Sequence, residues 1–204
     1  MVEALFLGAV AALGGRTDAA ARRAYAELDA AYDQAHRAYH DLRHVESTLN
    51  AYLFLADDLG TETGARVVLA LVYHDAVYEP RAGDNEERSA AFARRALGTV
   101  GIEESDLLEI ERLILLTQRH AADDPVGALV IDADLAVLQG TPEEYDAYAA
   151  AIRREYAFVP EAAYREGRVR VLEGLLGRRL FTSPLLDEDA ARANMTREIV
   201  GLKA

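Results

Sequence analysis

Along most of the chain, apolar residues recur at intervals of three and four, the repeat of an amphipathic α-helix. One such stripe consists of Val45, Leu49, Tyr52, Leu53, Ala56 and Leu59. Alternating runs typical of β-strands are weak, and no hairpin dipeptide lies between two of them. With no internal repeat or linker, the pattern predicts an all-α fold in one domain over residues 1–204.

Glycines, prolines and capping residues divide this pattern into ten predicted helices. They run from the N-terminus to Gly14-Gly15, from Thr17 or Asp18 to about Tyr32, from an Asp41 cap to Gly60, from after Gly64 to before Pro80, from Asn85 to Thr99, from Asp106 with Ser105 as cap to about His120, from Ala128 to Leu138, from Pro142 to Ala157, from Pro160 to Arg178 and from Pro184 to Val200. We expect residues of about 39–140 to form the core around a functional site, with the helices of 141–204 packed on it.

The segment VVLALVYHDAVY, residues 67–78, places an imidazole and a carboxylate inside an apolar run. Ten of its twelve residues are apolar, and the other two are His74 and Asp75. A buried carboxylate is costly unless a cation or a donor pairs with it. A His–Asp pair that only joins helices explains this pattern about as well as a functional site does.

Four further polar residues lie in or beside apolar helical faces. Asp132 and Asp134 fall in VIDADLAVL, where Asp134 is deeper in the apolar run and Asp132 could instead cap a later helix. His44 flanks an apolar stripe, and His120 follows one on its own predicted helix. A lone histidine at the position of His44 is more typical of a cap or a satisfied core residue than of a ligand, and His120 would point inward on its helix.

Taken together, these residues predict a metal site, because separate helices would each bring nitrogen or oxygen ligands into one bundle. The chain has a single lysine, Lys203, so few ammonium groups can pair with the carboxylates. Arginines are the alternative partners, but one divalent cation is more economical. Mixed histidine and aspartate ligation suits Mn²⁺, Fe²⁺, Co²⁺, Ni²⁺ or Zn²⁺.

Composition narrows the classes of partner. The formal net charge is −13, which argues against a nucleic-acid polymer or an anionic membrane surface. The chain has no cysteine, so disulfides, thiolate metal sites and cysteine nucleophiles are excluded. The apolar N-terminal stretch has Glu3 and no basic residue before it, which favours a first helix over a signal peptide. We therefore expect a cytoplasmic protein.

The order of these residues resembles that of the HD-domain superfamily of metal-dependent phosphohydrolases, in which a histidine, a His-Asp pair and a later aspartate follow one another. The resemblance is closer to a group of short bacterial proteins described only as predicted HD phosphohydrolases. The matching elements are Tyr39-His40…His44, Tyr73-His74-Asp75-Ala76-Val77-Tyr78, Asp84-Asn85-Glu86…Ser89, Thr117…His120, Asp132-Ala133-Asp134-Leu135…Leu138 and Tyr148…Ile152-Arg153…Glu155-Tyr156. The HD pair alone is a weak motif, but the ordered set is specific.

The resemblance implies a helical bundle of HD-domain type that binds a divalent ion of Mn, Fe, Co, Ni, Zn or Mg. The implied ligands are His44, His74, Asp75 and Asp134, with Asp132 as the competing choice for the last. Residues for a second metal or for contacts around the first are His120, Asp132 and His40. Candidate catalytic groups are Glu86 and His120, and candidate substrate contacts are Arg43, Arg81, Asn85 and Arg119.

The implied activity is hydrolysis of a small phosphorylated molecule, of which a nucleotide is one example. Residues 76–80 read AVYEP where Ile-Gly often follows the HD pair, and the Gly-Tyr-Pro element of cyclic-dinucleotide hydrolases is missing, so no particular nucleotide is indicated. The alternatives are an HD-type di-iron oxygenase, a catalytically silent module that binds metal or nucleotide, and a helical protein without metal. The exposed faces of the C-terminal helices could support a homodimer.

Overall fold

The computed structural model describes all residues 1–204 and contains ten α-helices, one 3₁₀ helix and no β-strand. The α-helices are α1 (Val2–Ala12), α2 (Ala19–Tyr32), α3 (Leu42–Leu55), α4 (Thr61–Tyr73), α5 (Asn85–Thr99), α6 (Glu104–Leu116), α7 (Pro125–Leu135), α8 (Pro142–Glu155), α9 (Glu161–Leu176) and α10 (Glu188–Lys203), with the 3₁₀ helix Ala136–Gln139 after α7. The all-α prediction is therefore confirmed. None of these helices combines the length and the apolarity that crossing a bilayer requires.

Helix α4 is the centre of the larger apolar core. Every residue of 67–73 is buried, and α1, α3, α5, α6 and α7 all pack against this helix. A helix that is apolar on every side needs partners on every side, and α4 has them. On one side these partners include α1, whose Phe6 and Val10 are fully buried.

A smaller apolar core joins the C-terminal helices to this body. It contains residues of α7, of the 3₁₀ helix and of α8 to α10, including the buried Leu138, Tyr145, Leu172 and Met195. Helices α3 and α7 pack against each other and contribute to both cores, since Leu55 of α3 belongs to the smaller one. The wall formed by α3 and α7 therefore lies between the two cores.

Helices α3, α4 and α6 end earlier than predicted. Helix α3 ends at Leu55 and not at Gly60, and the other two differences concern the site. Helix α4 ends at Tyr73, so His74 and Asp75 lie in a turn beyond it and not inside a helix reaching to Pro80. Helix α6 ends at Leu116, so His120 lies in the following turn.

Side chains explain why α4 stops, because they satisfy carbonyl groups that a longer helix would have used. The Nδ1 atom of His74 lies 2.7 Å from the Leu71 carbonyl oxygen. The guanidinium of Arg37 donates to the carbonyl oxygens of Asp75 and Ala76 at 2.7 and 3.0 Å.

The remaining boundary differences are small. Asp18 and Asp41 are N-caps as predicted, since their carboxylates accept backbone N–H groups of the first turns of α2 and α3. Ser105 is not the cap of α6, which already begins at Glu104. Helix α7 begins at Pro125, earlier than predicted, because the carboxylate of Asp124 caps it. Helix α10 begins later, at Glu188.

A buried carboxylate connects the segment before α3 to the end of α8. The Oε1 atom of Glu155 accepts the backbone N–H groups of Ala38, Tyr39 and His40 at 2.8, 2.8 and 2.9 Å. Its Oε2 atom lies 2.6 Å from Nδ1 of His40. Burial raises the pKa of Glu155, but these donors outweigh burial and lower it to about 2. The fold therefore favours the ionised carboxylate.

We predict that Glu155→Gln lowers the free energy of unfolding at pH 7 by about 3 kcal/mol, which is the size expected for a pKa depressed from 4.5 to about 2. Because the folded-state pKa is depressed, the stabilisation is present above the ordinary pKa of 4.5 and is lost as the pH falls towards 2. Urea unfolding followed by circular dichroism should show the gap between variant and wild type narrowing below about pH 4.5. Glu46→Gln, on the exposed face of α3, is the control. A gap that is independent of pH would contradict the assignment.

Candidate metal centre

Four polar side chains meet where three helices begin or end. His44 is in the first turn of α3, His74 and Asp75 directly follow α4, and Asp134 is in the last turn of α7. Both imidazoles are buried, and the side chains of Asp75 and Asp134 are 15% and 10% exposed. The packing of α3 and α4 against α7 thus brings together residues that are far apart in the sequence.

The ligand atoms of His44, His74 and Asp75 all lie within 4.8 Å of one another, which suits one cation, and Asp134 approaches both imidazoles. The Nε2 atoms of His44 and His74 are 3.0 Å apart. Oδ2 of Asp75 lies 3.1 Å from Nε2 of His74 and 3.5 Å from that of His44, and Oδ1 of Asp134 lies 3.4 and 3.3 Å from the same two atoms. Ligand atoms about 2.1 Å from an ion lie about 3.0 Å apart at a right angle and about 3.4 Å apart at the tetrahedral angle.

The tautomer of His74 shows which of these atoms are hydrogen-bond acceptors. Its Nδ1 faces the Leu71 carbonyl at 2.7 Å, so Nδ1 carries the proton and Nε2 of the neutral ring is an acceptor. The carboxylate oxygens of Asp75 and Asp134 that face Nε2 are acceptors as well. Such a group needs extra protons or a metal ion between its members, and His44, His74 and Asp75 form a group that could hold one.

The pKa shifts of His74, Asp75 and Asp134 also indicate that this group requires positive charge. Burial raises the pKa of Asp75 and of Asp134, but the neighbouring imidazoles, His74 foremost, outweigh it and hold both pKa values well below the usual range. Burial lowers the pKa of His74, yet Asp75 and Asp134 raise it well above its usual value. The carboxylates therefore stay ionised, the form in which they bind metal ions.

Arg37, which the sequence analysis did not single out, fixes the backbone around this group. Its buried guanidinium donates to the carbonyl oxygens of His40, Asp75 and Ala76 at 2.7, 2.7 and 3.0 Å, and it lies 4.9 Å from the centre of the Tyr32 ring. No periodic or motif signal in the sequence marks this arginine. It holds the turn that presents Asp75.

His120 approaches the group from the turn after α6. Its Nε2 lies 3.2 Å from Oδ2 of Asp134, the carboxylate oxygen that the other two histidines do not contact most closely. The backbone φ of His120 is +45°, a left-handed conformation that is strained for a residue other than glycine. We predicted that His120 faces inward from a helix, and the helix was wrong. The turn after α6 brings the ring to Asp134 instead.

Asp132 lies apart from this group, so it is not the competing ligand that the sequence allowed. Its carboxylate accepts the backbone N–H groups of Thr182 and Ser183 at 2.7–3.1 Å and so anchors the segment before α10. Nor does Asp132 cap a helix that begins shortly after it, which was the other role that the sequence allowed. His40 lines the same pocket as the cluster, with Nδ1 held by Glu155 and its ring stacked on Tyr78 at 4.1 Å.

The predicted substrate contacts are mostly directed elsewhere. Arg43 is exposed and paired with Asp41, and Arg81 lies over the Phe158 ring at 4.3 Å. The exposed Arg119 contributes its carbonyl to Arg178, and the side-chain amide of Asn85 binds the backbone of Glu79 in both directions. None of these four residues lines the pocket.

The four side chains open into a pocket of about 520 Å³. Glu86 and His120, the two candidate catalytic groups, line it. Burial, with Asp75 and Glu87, raises the pKa of Glu86, although His120 opposes this. The one arginine in the lining is Arg168, and it pairs with Glu198 of α10.

We predict that Asp75→Asn weakens Mn²⁺ or Zn²⁺ binding about 100-fold or more, since even residues that only orient a ligand often contribute 10–100-fold. Isothermal titration calorimetry measures the affinity directly. Saturating metal should also raise the melting temperature of the wild type and leave that of the variant unchanged. Asp57→Asn, the same change in the exposed loop after α3, should bind like the wild type. Equal metal affinities of the wild type and of Asp75→Asn would contradict the assignment of a metal centre at this group.

Comparison with known proteins adds no family to this picture. A scan against protein-family models, a search of curated proteins and a search of solved structures each found no match. What is established is an all-α chain in which a His/Asp group could hold a metal ion at one end of a pocket.

Proposed function

We propose that the protein is a metal-dependent phosphohydrolase with an HD-type helical bundle, acting on a small phosphate ester. The observation that carries the proposal is the convergence of two imidazole nitrogens and two carboxylate oxygens, 3.0–3.5 Å from one another across the pairs described above. They lie in the wall of a pocket large enough for a small molecule. The resemblance of the ordered sequence elements to HD phosphohydrolases supports the reaction class by analogy.

His44, His74, Asp75 and Asp134 are the residues that would hold the ion. A bound divalent ion supplies two effects to ester hydrolysis, a lowered pKa of a water molecule and polarisation of a phosphoryl oxygen. The protein fixes the donor atoms for this purpose, because Leu71 sets the tautomer of His74 and Arg37 holds the Asp75 backbone.

Glu86 is the group we assign as proton acceptor. In the reaction a water oxygen bonds to phosphorus, the bond from phosphorus to the ester oxygen breaks, and the departing alcohol takes up a proton. Glu86 would accept the proton that the water loses and return it to the alcohol. Glu86 is half-buried in the pocket, and burial raises its pKa towards neutral pH, which suits general acid–base catalysis.

The activity is tested by release of inorganic phosphate from mononucleotides, sugar phosphates and aryl phosphates with Mn²⁺, Co²⁺, Ni²⁺ or Mg²⁺. We expect turnover that Asp75→Ala abolishes. Turnover no greater than that of Asp75→Ala under every metal would refute the proposed reaction.

For Glu86→Gln we predict a fall in kcat of about 100-fold, within the range for loss of a general base, and an unchanged affinity for metal. Glu87→Gln is the matched control, because the carboxylate of Glu87 binds the side chain of Gln118 on the exposed surface. Steady-state kinetics and metal titration on the same samples separate the two effects. If kcat were unchanged in Glu86→Gln, another group would be the proton acceptor.

One observation favours a second candidate, an oxygenase that uses two iron ions. Asp134 faces His44 and His74 with one oxygen and His120 with the other, at 3.2 Å for the last contact. A carboxylate placed in this way could bridge two ions, with His120 as a ligand of the second. Glu86 lines the same pocket and is a further oxygen donor.

Metal stoichiometry distinguishes the two candidates. For the phosphohydrolase with one ion we predict about one divalent ion per chain after anaerobic purification without chelator, and no loss of the tightly bound ion in His120→Ala. The measurement is elemental analysis of both proteins. About two irons per chain, reduced to one by His120→Ala, would instead favour the oxygenase.

A further inference from the structure

Beyond the four polar side chains, the pocket continues into a region that we call the apolar lobe, lined by Leu138, Tyr148, Ile152, Tyr164, Val171 and Leu175. These residues come from the 3₁₀ helix, α8 and α9. The lobe belongs to the same pocket of about 520 Å³ as the metal centre. The proposed chemistry occupies one end of this space, so the lobe requires its own explanation.

Aromatic rings form a continuous wall from the metal centre into the lobe. The centroid of the Tyr39 ring lies 4.7 Å from that of the His44 ring and 4.7 Å from that of the Tyr148 ring. The guanidinium of Arg168 then lies 5.2 Å from the centre of the Tyr148 ring. A flat apolar group placed along this wall would meet ring faces and edges, a favourable arrangement for aromatic contacts.

The charges in the lobe are already compensated. Arg168 contacts Glu198 at 2.8 and 3.1 Å, and the two side chains are only 8% and 11% exposed. No other lysine or arginine lines the pocket, and the whole chain carries a net charge of −13. A second or third phosphate group would therefore find no free cation beyond the metal centre, and desolvating it would be costly.

We infer that the substrate is a monophosphate ester whose organic part is apolar and flat, an aromatic ring above all. This inference rests on the proposed function for its phosphoryl end, which would lie at the metal centre, and the ring would occupy the apolar lobe. At the mouth of the lobe Val171 is 55% exposed, so the apolar lining reaches the surface and leaves an entry path for such a group.

Gly167 offers a way to fill the lobe without altering the metal centre. It lines the pocket on α9, and a Cβ atom placed on it would meet nothing within 4 Å. Gly167→Leu therefore puts a side chain into open space, and leucine favours a helix more than glycine does. Gly174→Leu is the matched control, because Gly174 is on the same helix, equally open, exposed and outside the pocket.

The first experiment compares benzylphosphonate with methylphosphonate, which share the head group and differ by the ring. With Mn²⁺-loaded protein, calorimetry should give a benzylphosphonate affinity about tenfold or more above that of methylphosphonate, as burial of a ring predicts. In Gly167→Leu the ratio should fall towards one with Mn²⁺ affinity unchanged, and in Gly174→Leu the ratio should be that of the wild type. Equal affinities of the two phosphonates for the wild type, or an unchanged ratio in Gly167→Leu, would overturn the inference.

The second experiment uses metal-free protein and benzyl alcohol, so it does not depend on phosphate chemistry. NMR spectra should show amide shifts at Gly167 and Val171 that saturate with benzyl alcohol and are absent in Gly167→Leu. Shifts at these residues in a protein without any phosphatase activity would support the apolar lobe as a ring-binding site and refute the proposed function. No saturable shift there would overturn the apolar lobe as a ring-binding site whatever the activity.

Discussion

Acceptor atoms that face one another without a donor between them are the constraint on which this structure depends. In a neutral His74 ring Nε2 is an acceptor, because Nδ1–H is bound to Leu71, and the carboxylates of Asp75 and Asp134 can only accept while ionised. Held together by packing alone, these groups repel. Either extra protons on the imidazoles or one divalent cation must compensate them, and His44, His74 and Asp75 are placed so that they could hold such a cation.

The fold meets this constraint with helix ends. His44 lies in the first turn of α3, Asp134 in the last turn of α7, and the pair His74-Asp75 directly after α4. A turn leaves both members of an adjacent pair free to face one point, which neighbours on a helix, about 100° apart, do less easily. The apolar body of α4 then serves to fix the position of its end, and Arg37 and Glu155 fix the segments around it.

The sequence predicted the helical fold and the residues that meet, because apolar periodicity and misplaced polar residues are local signals. It did not predict where α4 and α6 end, since Arg37 and the turn at His120 act through distant or strained backbone contacts. Nor could it separate Asp132 from Asp134 on polarity alone. That difference depends on the distant Thr182 and Ser183, whose N–H groups occupy Asp132. The arginines nearest the motifs were poor guides, because adjacency in sequence does not direct a side chain inward.

The distribution of positive charge sets the balance between the two ends of the pocket. Most arginines of this acidic chain are in surface ion pairs, and the one in the pocket is neutralised by Glu198. An anionic ligand would therefore gain its electrostatic stabilisation almost wholly at the metal centre. In the rest of the pocket, the mainly apolar lining would stabilise an apolar group. A ligand with one charged end and one apolar end matches both demands, whereas a polyanion matches only the first. The same argument explains why a single ion at the end of α4 would decide both the orientation and the chemistry of whatever enters the pocket.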